Sequence, residues 1–289
     1  MPFRQLTIIG VGLLGGSIGL AVRAAMPACR IIGCGHRQAS LDRAIDMGAI
    51  DEGRIDPTAA VVGSDLVILC TPVGLFDSML RKIATSLTAG CIVTDVGSTK
   101  RSVAAAAQEI LPESVDFVPS HPMSGSEKRG VEFARADLFR HGLCILTPTA
   151  KTRPAALTRI EEFWKMLGMR ITQLDPATHD RLLGDVSHLP HLLAAALLSM
   201  QEDAALELSG KGFLDATRIA GGDGALWRDI LVDNADNLRS AVRRLQVELA
   251  EVVSLLGPGQ GEAMKDWLDA AAQRRQELMQ KKLRELNPD

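Results

Sequence analysis

Gly10-Val11-Gly12-Leu13-Leu14-Gly15-Gly16-Ser17 is the stretch whose reading decides the fold. It follows Leu6-Thr7-Ile8-Ile9, a short apolar and β-branched run with the character of a strand buried on both faces. It opens a segment, Ser17 to Ala25, that reads as a helix. A strand, a G-x-G-x-x-G turn and a helix in that order form a place to hold a dinucleotide. Gly10 permits the tight turn, Gly12 lets a pyrophosphate approach the backbone, and Gly15 lets the helix pack close to the sheet. Leu13 and Leu14 lie where the helix presents free N–H groups and the positive end of its dipole to phosphate.

Outward from this turn, strands and helices alternate. Arg30-Ile31-Ile32-Gly33-Cys34 reads as a second strand, and Gln38 to Met47 as a helix that Gly48 stops. Asp65 to Cys70 and Cys91 to Asp95 are the third and fourth strands, and Phe117 to Ser120 is a fifth that leads into His121. Leu143 to Leu146 and Met169 to Leu174 are further strands, with a helix around Pro154 to Leu167 between them. This alternation predicts an α/β fold: an N-terminal, doubly wound, Rossmann-type domain over residues 1–175.

From Ala177 onward the periodicity is helical. Leu182 to Gln201 is long and apolar, Asp229 to Leu256 is amphipathic, and Ala263 to Leu286 is a charged helix beyond the break at Gly257-Pro258-Gly259. Residues 176–289 are therefore expected to form a C-terminal all-α domain. Leu189 to Leu198 is apolar apart from Pro190 and His191, which implies burial on every side. Packing on a second copy provides that burial, so a homodimer through the C-terminal helices is expected.

Composition narrows the class. A length of 289 residues suits two domains. A net charge of -3 lacks the basic footprint of a nucleic-acid binder. The five cysteines are scattered without C-x-x-C spacing, which argues against a disulfide framework or a zinc site and for core thiols in a reducing compartment. Leu6 to Val22 carries no charge, but it is shorter than the roughly 20 residues a membrane span needs and holds five glycines. A cytoplasmic protein with no membrane partner and no metal is the expectation.

The cofactor type is read at the end of the second strand. NAD enzymes place Asp or Glu there on the ribose diol. This chain has Gly35-His36-Arg37, with no carboxylate to repel a 2′-phosphate and an Arg37 fork that suits one, helped by His36. NADP is expected over NAD, which stays as the alternative. Thr71-Pro72 and Gly97-Ser98 sit at the C-terminal ends of strands, where they would line the nicotinamide side of the crevice. His121 ends a strand at the same edge. An imidazole there can take the proton of an alcohol as hydride leaves, and Ser98 can orient the ring or bond the substrate hydroxyl.

Together these residues resemble the prephenate and arogenate dehydrogenases of tyrosine biosynthesis. The resemblance rests on the glycine turn, Asp95-Val96-Gly97-Ser98-Thr99-Lys100, His121-Pro122-Met123-Ser124-Gly125, Ser187-His188-Leu189-Pro190-His191, and Phe213 to Ala220 followed by Leu226-Trp227. It implies a nucleotide-binding domain plus a helical dimerisation domain. It implies His121 as catalytic base, Ser98 as its hydroxyl-binding partner and Arg218 as the holder of a substrate carboxylate. By the same resemblance His191 is a further active-site group and Trp227 part of the pocket wall. The reaction implied is oxidative decarboxylation of a cyclohexadiene with a ring carboxylate and a C4 hydroxyl. Glu127, six residues after His121, is a candidate for the side-chain end, where a carboxylate favours the ammonium of arogenate over the keto acid of prephenate. Lys128 and Arg129 beside it can neutralise that preference, and both substrates stay open. The rival enzyme reading is a β-hydroxyacid dehydrogenase or imine reductase on the same plan. Such hydroxyacid dehydrogenases use a lysine in the long helix, where this chain has His188 and His191. A cofactor-sensing binding module has no use for His121, Ser98 and Arg218 together.

Overall fold

A computed structural model describes residues 3–126 and 128–286. Along the chain, β1 (Gln5–Ile9), α1 (Leu13–Ala25), β2 (Arg30–Cys34), α2 (Gln38–Asp46), β3 (Glu52–Arg54), α3 (Pro57–Ala60), β4 (Leu66–Leu69), α4 (Phe76–Ile83), β5 (Ile92–Asp95), α5 (Arg101–Ile110) and β6 (Asp116–Val118) follow one another. The six strands pair in parallel in the order β3-β2-β1-β4-β5-β6. β1 and β4 lie at the centre, and β4 is buried at every position, which is why both are short apolar runs. Alternate residues serve opposite faces: Ile8 joins the cluster with Ile18 and Ile31, whereas Ile9 joins the one with Val67 and Phe76. Strand order reverses between β1 and β4, so the turns after them, at Gly10 and Thr71, border the crevice where such sheets bind ligands.

The fifth expected strand divides in two. β6 stops at Val118, and β7 (Ser120–Pro122) runs antiparallel to β8 (Leu143–Leu146). After α6 (Pro154–Met166), β9 (Arg170–Gln173) pairs in parallel with the other side of β8. These three strands form a second sheet rather than an extension of the first. Pro119, at the division, has no N–H to give to a ladder. Side chains take over there. Thr94 Oγ1 donates to the Val118 carbonyl at 2.6 Å, and the Ser120 N–H reaches Asp95 Oδ1 at 3.1 Å.

α7 (Pro176–Leu183) continues through a π-helical turn, Gly184–His188, into α8 (Leu189–Ser199). The expected uninterrupted helix from Leu182 is thus wound differently just ahead of Pro190, whose ring supplies no N–H to the preceding turn. α9 (Asp203–Leu206), α10 (Lys211–Thr217), α11 (Gly224–Asp233), α12 (Ala235–Leu255) and α13 (Gly261–Leu286) complete the chain. The helix expected from Asp229 is broken at Asn234 (φ -107°, ψ 27°), whose side-chain amide donates to the Asp180 carbonyl at 2.7 Å. β content ends with β9, near the expected boundary at 175/176, but the compact units divide later, between Ala235 and Asp236. α7 to α11 belong with the two sheets. Asp180 of α7 explains part of this, because its carboxylate accepts the first backbone N–H groups of α5. Pro176–Ser199 is long and apolar enough to cross a membrane (mean hydropathy 1.3), and its Asp180 is buried and anchored on the start of α5.

Candidate active site

The glycine turn is shaped by missing side chains. Gly10 has φ +101°, and a Cβ there would stand 2.7 Å from the Cys70 carbonyl carbon of the neighbouring strand end. A Cβ on Gly15 would stand 2.1 Å from the Gly10 oxygen and 2.8 Å from Ile8 Cγ2. Gly12 differs: nothing lies within 4 Å of its Cβ position. Gly12 is also the N-cap of α1, with no side-chain cap and no acid in the first turn. The first N–H groups of α1 therefore lack an internal partner and face open space. The residues present fit a bound pyrophosphate.

That open space belongs to a cavity of about 650 Å³. Gly12, Leu13 and Leu14 form one wall, Thr71, Pro72, Gly97 and Ser98 a second, and His191, Arg218 and Trp227 a third. Gly10 and Gly15 do not line it; they shape the turn behind. His36 and Arg37 also lie outside it, exposed at the end of β2. Glu127 falls outside the described residues.

The loop carrying Ser98 and the strand carrying His121 are tied by a buried ion pair that sequence reasoning passed over. Asp95 and Lys100 are fully buried and bonded to each other. Asp95 Oδ2 also accepts the Gly97 N–H at 2.8 Å, and Lys100 Nζ donates to the Ser120 carbonyl at 2.9 Å. The loop carrying Ser98 is thereby clamped to the strand carrying His121.

His121 is 7% exposed and is not part of the cavity wall. Its Nδ1 lies 2.9 Å from His179 Nε2, and His179 Nδ1 lies 2.8 Å from Asp180 Oδ1. Asp180 also accepts the N–H groups of Lys100 and Arg101 at 2.8 and 2.9 Å. Burial, then the neighbouring His179 and Lys100, hold the His121 imidazole well below its usual pKa. Burial likewise lowers His179. Burial opposes ionisation of Asp180, but the hydrogen bonds from His179, Arg101 and Lys100 outweigh it and keep the carboxyl below the ordinary range. Near neutral pH both rings are uncharged, and His121 is able to accept a proton. His179 and Asp180 gave no signal in the sequence, because 58 residues separate His121 from its partner.

The helical wall offers charge and a flat surface. Arg218 is exposed and lines the cavity. His191 stacks on Trp227 with ring centroids 3.5 Å apart and an angle of 12° between planes. The stack has room because Gly222 carries no Cβ, which would stand 2.5 Å from Trp227 Nε1. His191 Nδ1 is buried without a hydrogen-bond partner among the described residues. Arg129 and Asp223, both lining residues, form an ion pair at the rim. His188 is fully buried, bonded to Asn234, and lies outside the wall.

Comparison with known proteins gives a consistent answer. The family model described as prephenate dehydrogenase, nucleotide-binding domain, matches residues 18–173, and the one described as prephenate dehydrogenase, dimerization domain, matches residues 175–270. A prephenate dehydrogenase of Bacillus subtilis is 36% identical over 238 residues, covering 80% of this chain and 64% of the relative's own length. A cyclohexadienyl dehydrogenase of Zymomonas mobilis is 33% identical over 267 residues, covering 90% of this chain and 91% of that one. The crystal structure of prephenate dehydrogenase from A. aeolicus, in complex with hydroxyphenyl propionate and NAD+, superposes with a TM-score of 0.90 at 32% identity, covering 96% of this chain and 99% of that one. With both domain models matched in sequence order and a fold shared nearly end to end, the chain belongs to the prephenate dehydrogenase family.

Proposed function

We propose that the protein oxidatively decarboxylates prephenate, L-arogenate or both, with NADP preferred to NAD. The observation that carries this reading is one cavity joining the open side of the glycine turn to Ser98, His191, Arg218 and Trp227. When bound, a nicotinamide dinucleotide accepts the hydride that leaves the substrate's C4. The chain's own residues do the rest. His121 takes the C4 hydroxyl proton at Nε2, the nitrogen not engaged by His179. Ser98 bonds the same hydroxyl and keeps it on that line. Arg218, exposed in the cavity wall, holds a substrate carboxylate. His191 offers its unpartnered Nδ1 to a polar substrate group, with the Trp227 ring behind it. Carbon dioxide then departs, the bonding pair it leaves behind completes an aromatic ring, and the step becomes effectively irreversible.

The NADP preference is supported by the end of β2. His36 and Arg37 are solvent-exposed, and the nearest following acid, Asp42 of α2, is engaged by Gln38 at 2.8 Å. A homodimer is supported by the matched dimerization domain and by α8, where Leu193 and Leu197 remain 38% and 37% exposed in a single chain. The test is nucleotide reduction by the purified protein, with each substrate crossed against each cofactor and the oligomer measured in the same buffer. Reduction with either diene, faster with NADP, is the expected result. A folded dimer that reduces neither cofactor with either diene overturns the reading in favour of a hydroxyacid dehydrogenase or imine reductase.

A further inference from the structure

The contacts behind His121 form an ordered chain. Asp180, ionised and anchored on the first N–H groups of α5, has only acceptor atoms to offer. The His179 nitrogen facing it at 2.8 Å must then be the N–H donor. In a neutral ring this leaves the lone pair on Nε2, where His121 Nδ1 stands at 2.9 Å. His121 Nδ1 must in turn be the donor, and the lone pair of a neutral His121 is left on Nε2. The two rings meet edge to face, with centroids 5.1 Å apart and planes 60° apart, so ring stacking does not compete with that in-line contact.

Resting on the reading of His121 as the base, we propose that His179 and Asp180 are its positioning residues: through two successive hydrogen bonds they select the His121 tautomer whose Nε2 is free to take the substrate proton. The same chain carries charge once the proton has moved. Imidazolium on His121 donates through His179 toward the Asp180 carboxylate, offsetting the Lys100 ammonium that faces both rings. The other ionisable groups facing this cluster are Arg101, whose Nε lies 3.3 Å from Asp180 Oδ2, Asp95, beside Lys100, and His188 of the π-helical turn. The proton arrives on Nε2 and returns to the C4 oxygen once loss of carbon dioxide has left that oxygen as the phenolate of the new aromatic ring. Neither His179 nor Asp180 touches the cavity, and neither exchanges a proton with substrate.

The test pairs steady-state kinetics in NADP and prephenate with the ¹⁵N chemical shifts of the His121 ring. His179→Leu removes the acceptor. It is expected to lower kcat by about 10- to 100-fold, the usual cost of losing an outer-shell partner, with KM for NADP within about twofold. It also releases His121 from the Nδ1–H tautomer. His179→Gln still presents an acceptor oxygen and keeps the Nδ1–H signal and at least about a tenth of the wild-type kcat. Should the leucine variant not fold, the glutamine variant decides: loss of the Nδ1–H signal with undiminished turnover overturns the proposal. Unchanged kcat and unchanged tautomer in folded His179→Leu overturn it as well. His121→Asn separates the two layers. Full activity there sinks the base assignment itself, whereas an inactive His121→Asn beside a wild-type His179→Leu sinks only the positioning role.

Discussion

The turn after β1 and the histidine pair behind Ser98 are built on opposite rules. The turn works by what it omits: Gly12 leaves a space with no protein atom within 4 Å of its Cβ position, and the N-terminus of α1 has no side-chain cap. The pair works by what it contains: two imidazoles, a carboxylate and a buried ion pair, with His179, Lys100 and Asp95 all 0% exposed. An anion is recognised by backbone N–H groups that nothing else has claimed. A proton acceptor is tuned by neighbours that desolvate and orient it. The first design is local in the chain and the second is not.

Substitutions separate the two sites in order of effect. The largest change is expected for His121→Asn, which lowers kcat by more than about 10⁴-fold, above the usual range for one acid/base group. NADP affinity, followed by fluorescence titration, stays within about twofold because the turn is untouched. Next, two alanines distinguish roles inside the turn. Gly15→Ala brings a methyl to 2.1 Å from a backbone oxygen and costs about 3 kcal/mol of folding stability by urea titration. Gly12→Ala meets no protein atom, so its melting temperature stays within about 2 °C while dinucleotide affinity falls at least about tenfold.

Acid probes the histidine side alone. Burial lowers His188 from 6.5 to about 4. Below about 6.5 the unfolded chain binds a proton that the folded chain refuses, so stability falls as pH drops, until the folded form also protonates near 4. The loss from this residue reaches about 3 kcal/mol across that interval, read by denaturation at several pH values. His121 and His179 are shifted in the same direction and steepen the fall. The smallest effect is expected for Arg37→Ala, which raises KM for NADP about tenfold, some 1.4 kcal/mol, and leaves KM for NAD within about twofold.

What was legible in the sequence follows the same division. Arg30 to Cys34 was readable residue for residue, because a buried parallel strand is a continuous apolar run. The glycine turn was readable because its function is confined to six positions. Ser98 follows the end of β5 as expected, whereas His121, expected at a strand end of the same sheet, lies in the middle of β7 in the second sheet. The second sheet was not, since β7 is three residues long and begins just after Pro119. The breaks at Gly184–His188 and Asn234 were hidden as well, because helical periodicity continues across both. His179 and Asp180 read as two polar residues on an ordinary helix. Only the approach of α7 to β7 and to the start of α5 gives them a purpose.

The bend at Pro119 has a mechanical consequence. Among the described residues no backbone ladder joins the two sheets; a shared apolar core that includes Ile8, Val118, Leu146 and Trp164 holds them together, and Asp95, Lys100, Thr94 and Ser120 add the polar ties nearest His121. Damage to those ties lets the His121 strand shift against the nucleotide-binding strands while the shared core keeps both folded. Such an enzyme fails in a distinctive way: it still grips its coenzyme at full strength and has lost the alignment that makes the grip useful.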